Sequence, residues 1–474
     1  MKKNQKKLLL FKNKHIKDFL IKPFMKKNQK KTFIIFIFTA FCILFFGAWN
    51  VVDGNYDKQN KVIIFFKNLV PTKISRKIRD TFFIIPDLKT LNKDLKLQVR
   101  KFEQGLEGQL FDEKEIKTKS KTINYKNFFL PFPRLDTRAG YTNPSNSARA
   151  HYLEVVGDKI LVLSGEGKTI FFEKKNIFKK KLMQEKIQNN INDIMIKNNL
   201  TFIGVRDLFV DKNIVYISLM SKDKNGYTFN IYTADLNYKK LNFKIFFETK
   251  QYFKEYSVST GGRIEKFKNG KILFTFGNSG VLGAPQDKNS LLGKIISIDL
   301  ITKNYELVSL GHRNQQGIAY DEDLNLIINA EHGPKGGDEI NFNYYKKNNV
   351  LNFGFDVVSY GIEYDGTDPY KRPHSDFGFV EPIKYFVPSI GISEIIFLNK
   401  EKSFLKKNSL FVSSLRAGSL YIYELNDQLN KIESEERVNF GNERIRDIKY
   451  DPENKVFFLI FEITPSIVVL KIKD

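Results

Sequence analysis

From residue 150 to the end of the chain one pattern of positions keeps returning: a polar turn, then a short apolar run rich in β-branched and aromatic residues. Its six copies are GDKILVLSG (157–165), DKNIVYISL (211–219), NGKILFTFG (269–277), DLNLIINAE (323–331), KNSLFVSSL (407–415) and ENKVFFLIF (453–461). Their first apolar residues, Ile160, Ile214, Ile272, Leu326, Leu410 and Val456, are separated by 54, 58, 54, 84 and 46 residues. Short apolar runs bounded by turns read as strands. A period of this size over an all-β stretch predicts a propeller with one four-stranded sheet per repeat, and six copies predict six blades. A β-sandwich does not account for even spacing over roughly 300 residues.

The pattern before residue 146 is different. Thr32 to Trp49 is a run of eighteen residues without a charge, just long enough to cross a bilayer as a helix, with a tryptophan at its end. Residues 1–31 carry twelve lysines against one aspartate, so the Lys-rich arm is expected in the cytoplasm and residues 50–474 across the membrane. The alternative, a cleaved signal peptide, lacks a small-residue cleavage site after the bulky Phe-Phe-Gly-Ala-Trp end. MKKNQKK occurs at 1–7 and again at 25–31, so translation from Met25 would also leave a basic segment before the apolar run. Residues 50–145 read as a mixed connector, in which Leu88, Leu91, Leu95, Val99, Phe102 and Leu106 form an amphipathic helical stripe. The proline-containing tract 130–147 marks the boundary, and the propeller is assigned to 146–474.

The net charge of +24 raises nucleic acid as a partner, but +11 of it sits on the N-terminal arm and no aromatic-basic recognition motif is present. Nucleic-acid binding is therefore not expected. Cys42 is the only cysteine, which excludes disulfides within the chain and cysteine-ligated zinc. Gly167-Lys168-Thr169 ends like a phosphate-binding loop, but Val162 stands where that motif needs glycine and a strand follows, so it reads as a hairpin turn.

The longest gap between repeats follows directly on EHGPKGGDEIN (331–341), whose glycines, proline and acidic residues suit a shaped loop at a strand end. Upstream lies His312-Arg313-Asn314-Gln315-Gln316-Gly317, and His312, His332 and His374 are three of the chain's five histidines. Together with GGRIEKFKNGKILFTFGNSG (261–280), PQDKNSLLGKIISID (285–299), LNFGFDVVSYGIEYDG (351–366), YFVPSI (385–390) and ERIRDIKYDPENKVFFLI (443–460), this order of motifs resembles the glucose/sorbosone dehydrogenase family. The resemblance covers roughly residues 150–474 and itself implies a six-bladed propeller.

The resemblance further implies pyrroloquinoline quinone held with a calcium ion at the central mouth. Arg444 and Arg446 are two apart on a strand and so share a face, as a pair of guanidinium groups for a carboxylate would. Arg416, Arg313 and Asn314 match further cofactor contacts, and the carbonyls of Gly333 and Pro334 match calcium ligands, which suits a hard, oxygen-seeking ion. The competing reading is that these arginines brace the blades by pairing with Asp338, Glu339 or Asp447.

The family's base is a histidine four residues before the arginine of GGRI; here that arginine is Arg263 and the position is Ser259. No histidine lies between His151 and His312, so His332 is the nearest replacement by motif, and Asn278 stands where relatives carry aspartate. The expected function is oxidation of a sugar's anomeric carbon by a propeller anchored at the bacterial inner membrane, facing the periplasm and passing electrons to a respiratory acceptor. The alternative is a non-catalytic ligand- or sugar-binding propeller that has lost the base.

Overall fold

The computed structural model describes residues 108–132 and 150–473. The anchor run 32–49 and the helical stripe 88–106 lie outside them. Among the described residues no helix is long and apolar enough to cross a membrane.

The strands form six sheets of four or five strands. In chain order, the innermost strands are His151–Val156, Thr201–Asp211, Gly261–Phe267, Gln315–Asp321, Ile392–Leu398 and Ile445–Asp451. Each packs against the next, and the sixth packs against the first, so the ring closes. The six recurring apolar runs are the second strands of the six blades: Lys159–Ser164, Ile214–Asp223, Lys271–Phe276, Leu326–Glu331, Ser409–Ser414 and Val456–Phe461.

These runs are continuously apolar because both faces of a blade are buried. In Val456–Phe461, Phe457, Leu459 and Phe461 enter one core cluster with the fifth blade, while Val456, Phe458 and Ile460 enter another with the first. Successive side chains of a strand point to opposite faces, so a sheet sandwiched between neighbours needs no polar side. Six such clusters occur, one between each pair of adjacent blades.

One boundary differs from the sequence reading. Leu110–Lys117 and Thr122–Phe129, placed there in the connector, are the outer strands of the sixth blade. Thr122–Phe129 pairs antiparallel with Ser466–Lys473, from Thr122 opposite Lys473 to Phe129 opposite Ser466. An upstream segment thus closes the ring through the last blade. The long gap between repeats is an insert in the fourth blade, between Asp338–Tyr344 and Lys384–Phe386, and its Leu351–Asn352 pairs with the outer edge of the third blade.

Candidate functional site

In an antiparallel blade the start of the first strand, the end of the second and the start of the third lie at one end. Ser259, Arg313, Asn314, Arg444 and Arg446 are at or just before the starts of first strands. His332, Gly333, Pro334 and Arg416 lie in hairpins between second and third strands. The topology therefore brings every residue singled out from the sequence to one mouth of the propeller. Backbone bonds tie two of them together: Asn278 N–H donates to the Arg313 carbonyl at 2.7 Å, and Ser279 N–H to the Ser259 carbonyl at 2.8 Å. Ser259 is buried, and its hydroxyl makes no hydrogen bond to the described residues.

Register shifts set the ring of side chains below the mouth. The pairing of first with second strand skips a residue between Val205 and Asp207, between Gln315 and Gly317, and between Ile445 and Asp447. The skipped residues are Arg206, Gln316 and Arg446. Bulges re-aim side chains and recur beside active sites. Here they reach across blades, since Arg446 Nη1 donates to Gln316 Oε1 at 3.0 Å.

Arg444 and Arg446 share one partner. Both Nε groups donate to Glu462, at 3.0 and 2.5 Å, from a carboxylate buried just past the sixth blade's second strand. Burial opposes ionisation of Glu462, but Arg446 and Arg444 outweigh it and hold the carboxyl below its usual range. The spacing-based expectation that both arginines share a face agrees with this. The carboxylate they share is none of Asp338, Glu339 and Asp447. The bracing arginine is Arg263, one layer deeper and 2% exposed. It pairs with Asp207 at 2.6 Å, Glu394 at 2.5 Å and Asp447 at 3.5 Å, donates to the Gln316 carbonyl at 2.7 Å, and lies 5.2 Å from the Tyr152 ring centre. All six blades thus meet at one side chain.

Arg313 occupies an unexpected position. Its guanidinium donates to the carbonyls of His332 at 3.2 Å and Gly333 at 2.6 Å, and its N–H donates to Glu331 at 2.7 Å. A fixed cation therefore already engages the Gly333 carbonyl matched to calcium. A divalent ion there would meet a like charge, so Gly333 and Pro334 do not fit a calcium site in this arrangement, and no group of carboxylates and histidines among the described residues is arranged to hold a metal. Arg416, in contrast, is exposed, and its guanidinium has no partner among the described residues.

His332 Nδ1 lies 3.8 Å from Asp338 Oδ1. Burial opposes ionisation of Asp338, but the neighbouring His332 and the Ile392 N–H, which donates to it at 3.0 Å, outweigh it and keep the carboxyl below its usual range. His312 is structural: fully buried, it bonds Glu331 and Ser309 at 2.8 Å each and stacks on Phe353. Beside His332 lies a small recess of about 10 Å³, partly continuous with solvent, lined among others by Arg313, Glu339, Phe355 and His374. Burial and the neighbouring Glu331 raise the Glu339 carboxyl well above its usual range.

Sequence reasoning missed Glu462 and Arg206. Glu462 carried one signal: an acid closing an apolar run, as Glu331 closes the corresponding run of the fourth blade.

A sequence model of the glucose/sorbosone dehydrogenase family matches residues 158–467. An uncharacterized protein of Synechocystis sp. is 26% identical over 287 residues, 56% of this chain and 68% of its own length. An aldose sugar dehydrogenase of Escherichia coli is 27% identical over 217 residues, 43% of this chain and 57% of that relative. Among solved structures, the soluble aldose sugar dehydrogenase of Escherichia coli in its apo form superposes with a TM-score of 0.56 at 20% identity, covering 74% of this chain and 99% of that one. The holo form of a pyranose dehydrogenase PQQ domain from Coprinopsis cinerea gives 0.50 at 12% identity, covering 76% and 98%. At these identities the structural likeness shows the fold alone.

Proposed function

The chain belongs to the glucose/sorbosone dehydrogenase family, and from that premise and the charge of its mouth we propose a quinone-dependent oxidoreductase of the aldose sugar dehydrogenase kind. The carrying observation is that Arg444 and Arg446 converge on one carboxylate, Glu462, at the mouth. At the same mouth the Arg416 guanidinium has no partner among the described residues, and guanidinium groups gathered there call for an anion. Pyrroloquinoline quinone, with three carboxylates, fits that donor set. Arg444, Arg446 and Arg416 would hold its carboxylates, with Arg313 and Asn314 as further contacts. Bound there, the quinone supplies the two-electron acceptor for hydride from the sugar's C1.

The chain itself must take the proton of the C1 hydroxyl. Ser259 has no useful basicity near neutral pH. With Nδ1 turned toward Asp338, His332 offers Nε2 for that proton. The N-terminal apolar run supports a propeller held at the periplasmic face of an inner membrane. Protease added to spheroplasts is then expected to digest the propeller, and its protection would reverse the orientation.

The test is calorimetry of the full-length chain with quinone, followed by a dye-linked assay across aldoses. Quinone binding lost in the Arg444→Ala, Arg446→Ala double variant, with unchanged circular dichroism, is expected. Wild-type protein that binds no quinone would sink the assignment. The unpartnered hydroxyl of Ser259 at the base position favours a second reading, a binding propeller without turnover. Tight quinone binding with no dye reduction on any aldose would select it.

A further inference from the structure

Arg206 shares its place in the fold with Gln316 and Arg446: each is the skipped residue of a first-strand bulge. Unlike Arg446, it has no acid among the described residues. It is 6% exposed, and its guanidinium donates only to the Val205 carbonyl at 3.2 Å and the Met220 sulfur at 3.1 Å. The adjacent Asp207 is already engaged by Arg263 at 2.6 Å and by the Ile264 N–H at 2.7 Å. Burial lowers the proton affinity of Arg206, and the like charge of Arg446 adds to the effect. A guanidinium nonetheless stays charged in proteins, so a buried positive charge is left without a counterion among the described residues.

A second polar group nearby is also unsatisfied. The Tyr256 hydroxyl is buried without a hydrogen-bond partner and interacts electrostatically with Arg206. Tyr256 lies on the segment that leads to Ser259. The backbone makes room for the arginine: Gly262 has φ +102°, and a Cβ there would lie 2.6 Å from Arg206 Cβ. N–H donors with a fixed charge beside a free hydroxyl donor define their complement, a compact anionic acceptor.

We propose that Arg206 and Tyr256 form a carboxylate-binding subsite on the second-blade wall of the mouth. The carboxylate belongs either to the quinone or to an acidic sugar such as a uronate. The first source rests on the cofactor reading above, and the second does not.

Titrating the full-length chain at low salt with pyrroloquinoline quinone, D-glucuronate and D-glucose tests this. Arg206→Leu is expected to weaken at least one of the two carboxylate ligands by about tenfold or more, the scale of a charge-assisted hydrogen bond. Arg206→Lys should recover part of the loss, D-glucose binding should not change, and the ligand-free melting midpoint should hold or rise. Loss confined to quinone assigns its carboxylate; loss confined to glucuronate assigns the substrate's. Wild-type binding of glucuronate without quinone would keep the subsite and refute the cofactor reading. Quinone binding equal in wild type and Arg206→Leu, with no glucuronate binding, would do the reverse. A wild type that binds neither carboxylate, or a lowered melting midpoint with unchanged binding, also overturns the subsite. Should Arg206→Leu fail to fold, Tyr256→Phe is judged by the same ligand criteria.

Discussion

Replacing Arg263 by methionine should expose what holds the blades in register. Its three carboxylates each bridge two blades besides reaching the arginine. Asp207 accepts Ile264 N–H at 2.7 Å, Glu394 accepts Ile318 N–H at 3.1 Å, and Asp447 accepts Leu153 N–H at 2.9 Å. These bonds staple blades two to three, four to five and six to one. Methionine fills similar volume but leaves the three acids, 0 to 6% exposed at their side chains, without the cation at their centre. Removing one partner of a buried ion pair costs about 3–5 kcal/mol. An independent bound agrees: one carboxyl with an ordinary affinity near pH 4 that must take a proton at pH 7 costs about 4 kcal/mol, at about 1.4 kcal/mol per unit. The same arithmetic gives only about 1.5 kcal/mol at pH 5. Urea unfolding of Arg263→Met and wild type at the two pH values measures the gap. It should be about 4 kcal/mol at pH 7 and less than half that at pH 5. A gap below about 1 kcal/mol at pH 7, or one that ignores pH, would show that the hub does not act as a charged unit.

Beneath the hub, burial raises Glu154, against the opposing Lys449, and Glu265 to about 7 each. The folded protein keeps these protons to higher pH than the unfolded chain, so their stabilisation is complete below about 4.5 and is lost as pH rises through about 7. Melting midpoints should therefore fall between pH 5 and 8, and Glu265→Gln should flatten the profile; a midpoint that rises over this range would contradict the burial argument. Glu462→Gln leaves Arg444 and Arg446 without their shared anion and should destabilise the ligand-free protein by about 1–3 kcal/mol in chemical unfolding. The same variant should bind quinone at least as tightly as wild type by calorimetry, and weaker binding would mean that Glu462 positions the arginines rather than neutralising them. Ser259→His should raise dye-linked aldose oxidation about a hundredfold or more if only a base is missing; activity already present in wild type, unchanged in Ser259→His and lost in His332→Ala, would place the base at His332.

The blade count was legible because each second strand is buried on both faces and so appears as an unbroken apolar run. The closing strands were not. Leu110–Lys117 reads LFDEKEIK, with most of its residues exposed at the edge of the sixth blade, and a polar edge strand has no apolar signature to find. Arg444 and Arg446 could be picked out because their spacing of two is local. Arg206 could not, since what aligns it with Arg446 is a bulge in a strand about 240 residues away, and bulges leave no mark in the order of apolar and polar residues. Arg263 was recognised only as a landmark for the missing histidine, because its acids come from three other blades.

These arginines differ in function because they differ in compensation. Arg263 is enclosed by three acids from three other blades, and a buried cation so fully engaged has nothing left for a ligand. One layer toward the mouth, Arg444 and Arg446 converge on Glu462, and Arg206 has no acid among the described residues. The deep layer is thereby held rigid, and the upper one is arranged to take an anion. That division does not depend on Ser259. Holding a carboxylate needs only the upper layer, whereas oxidation also needs a group to take a proton. Replacement of the histidine therefore bears on turnover and not on the reason to bind, and the affinity for an anionic ligand should be set by the arginines whether or not any sugar is oxidised.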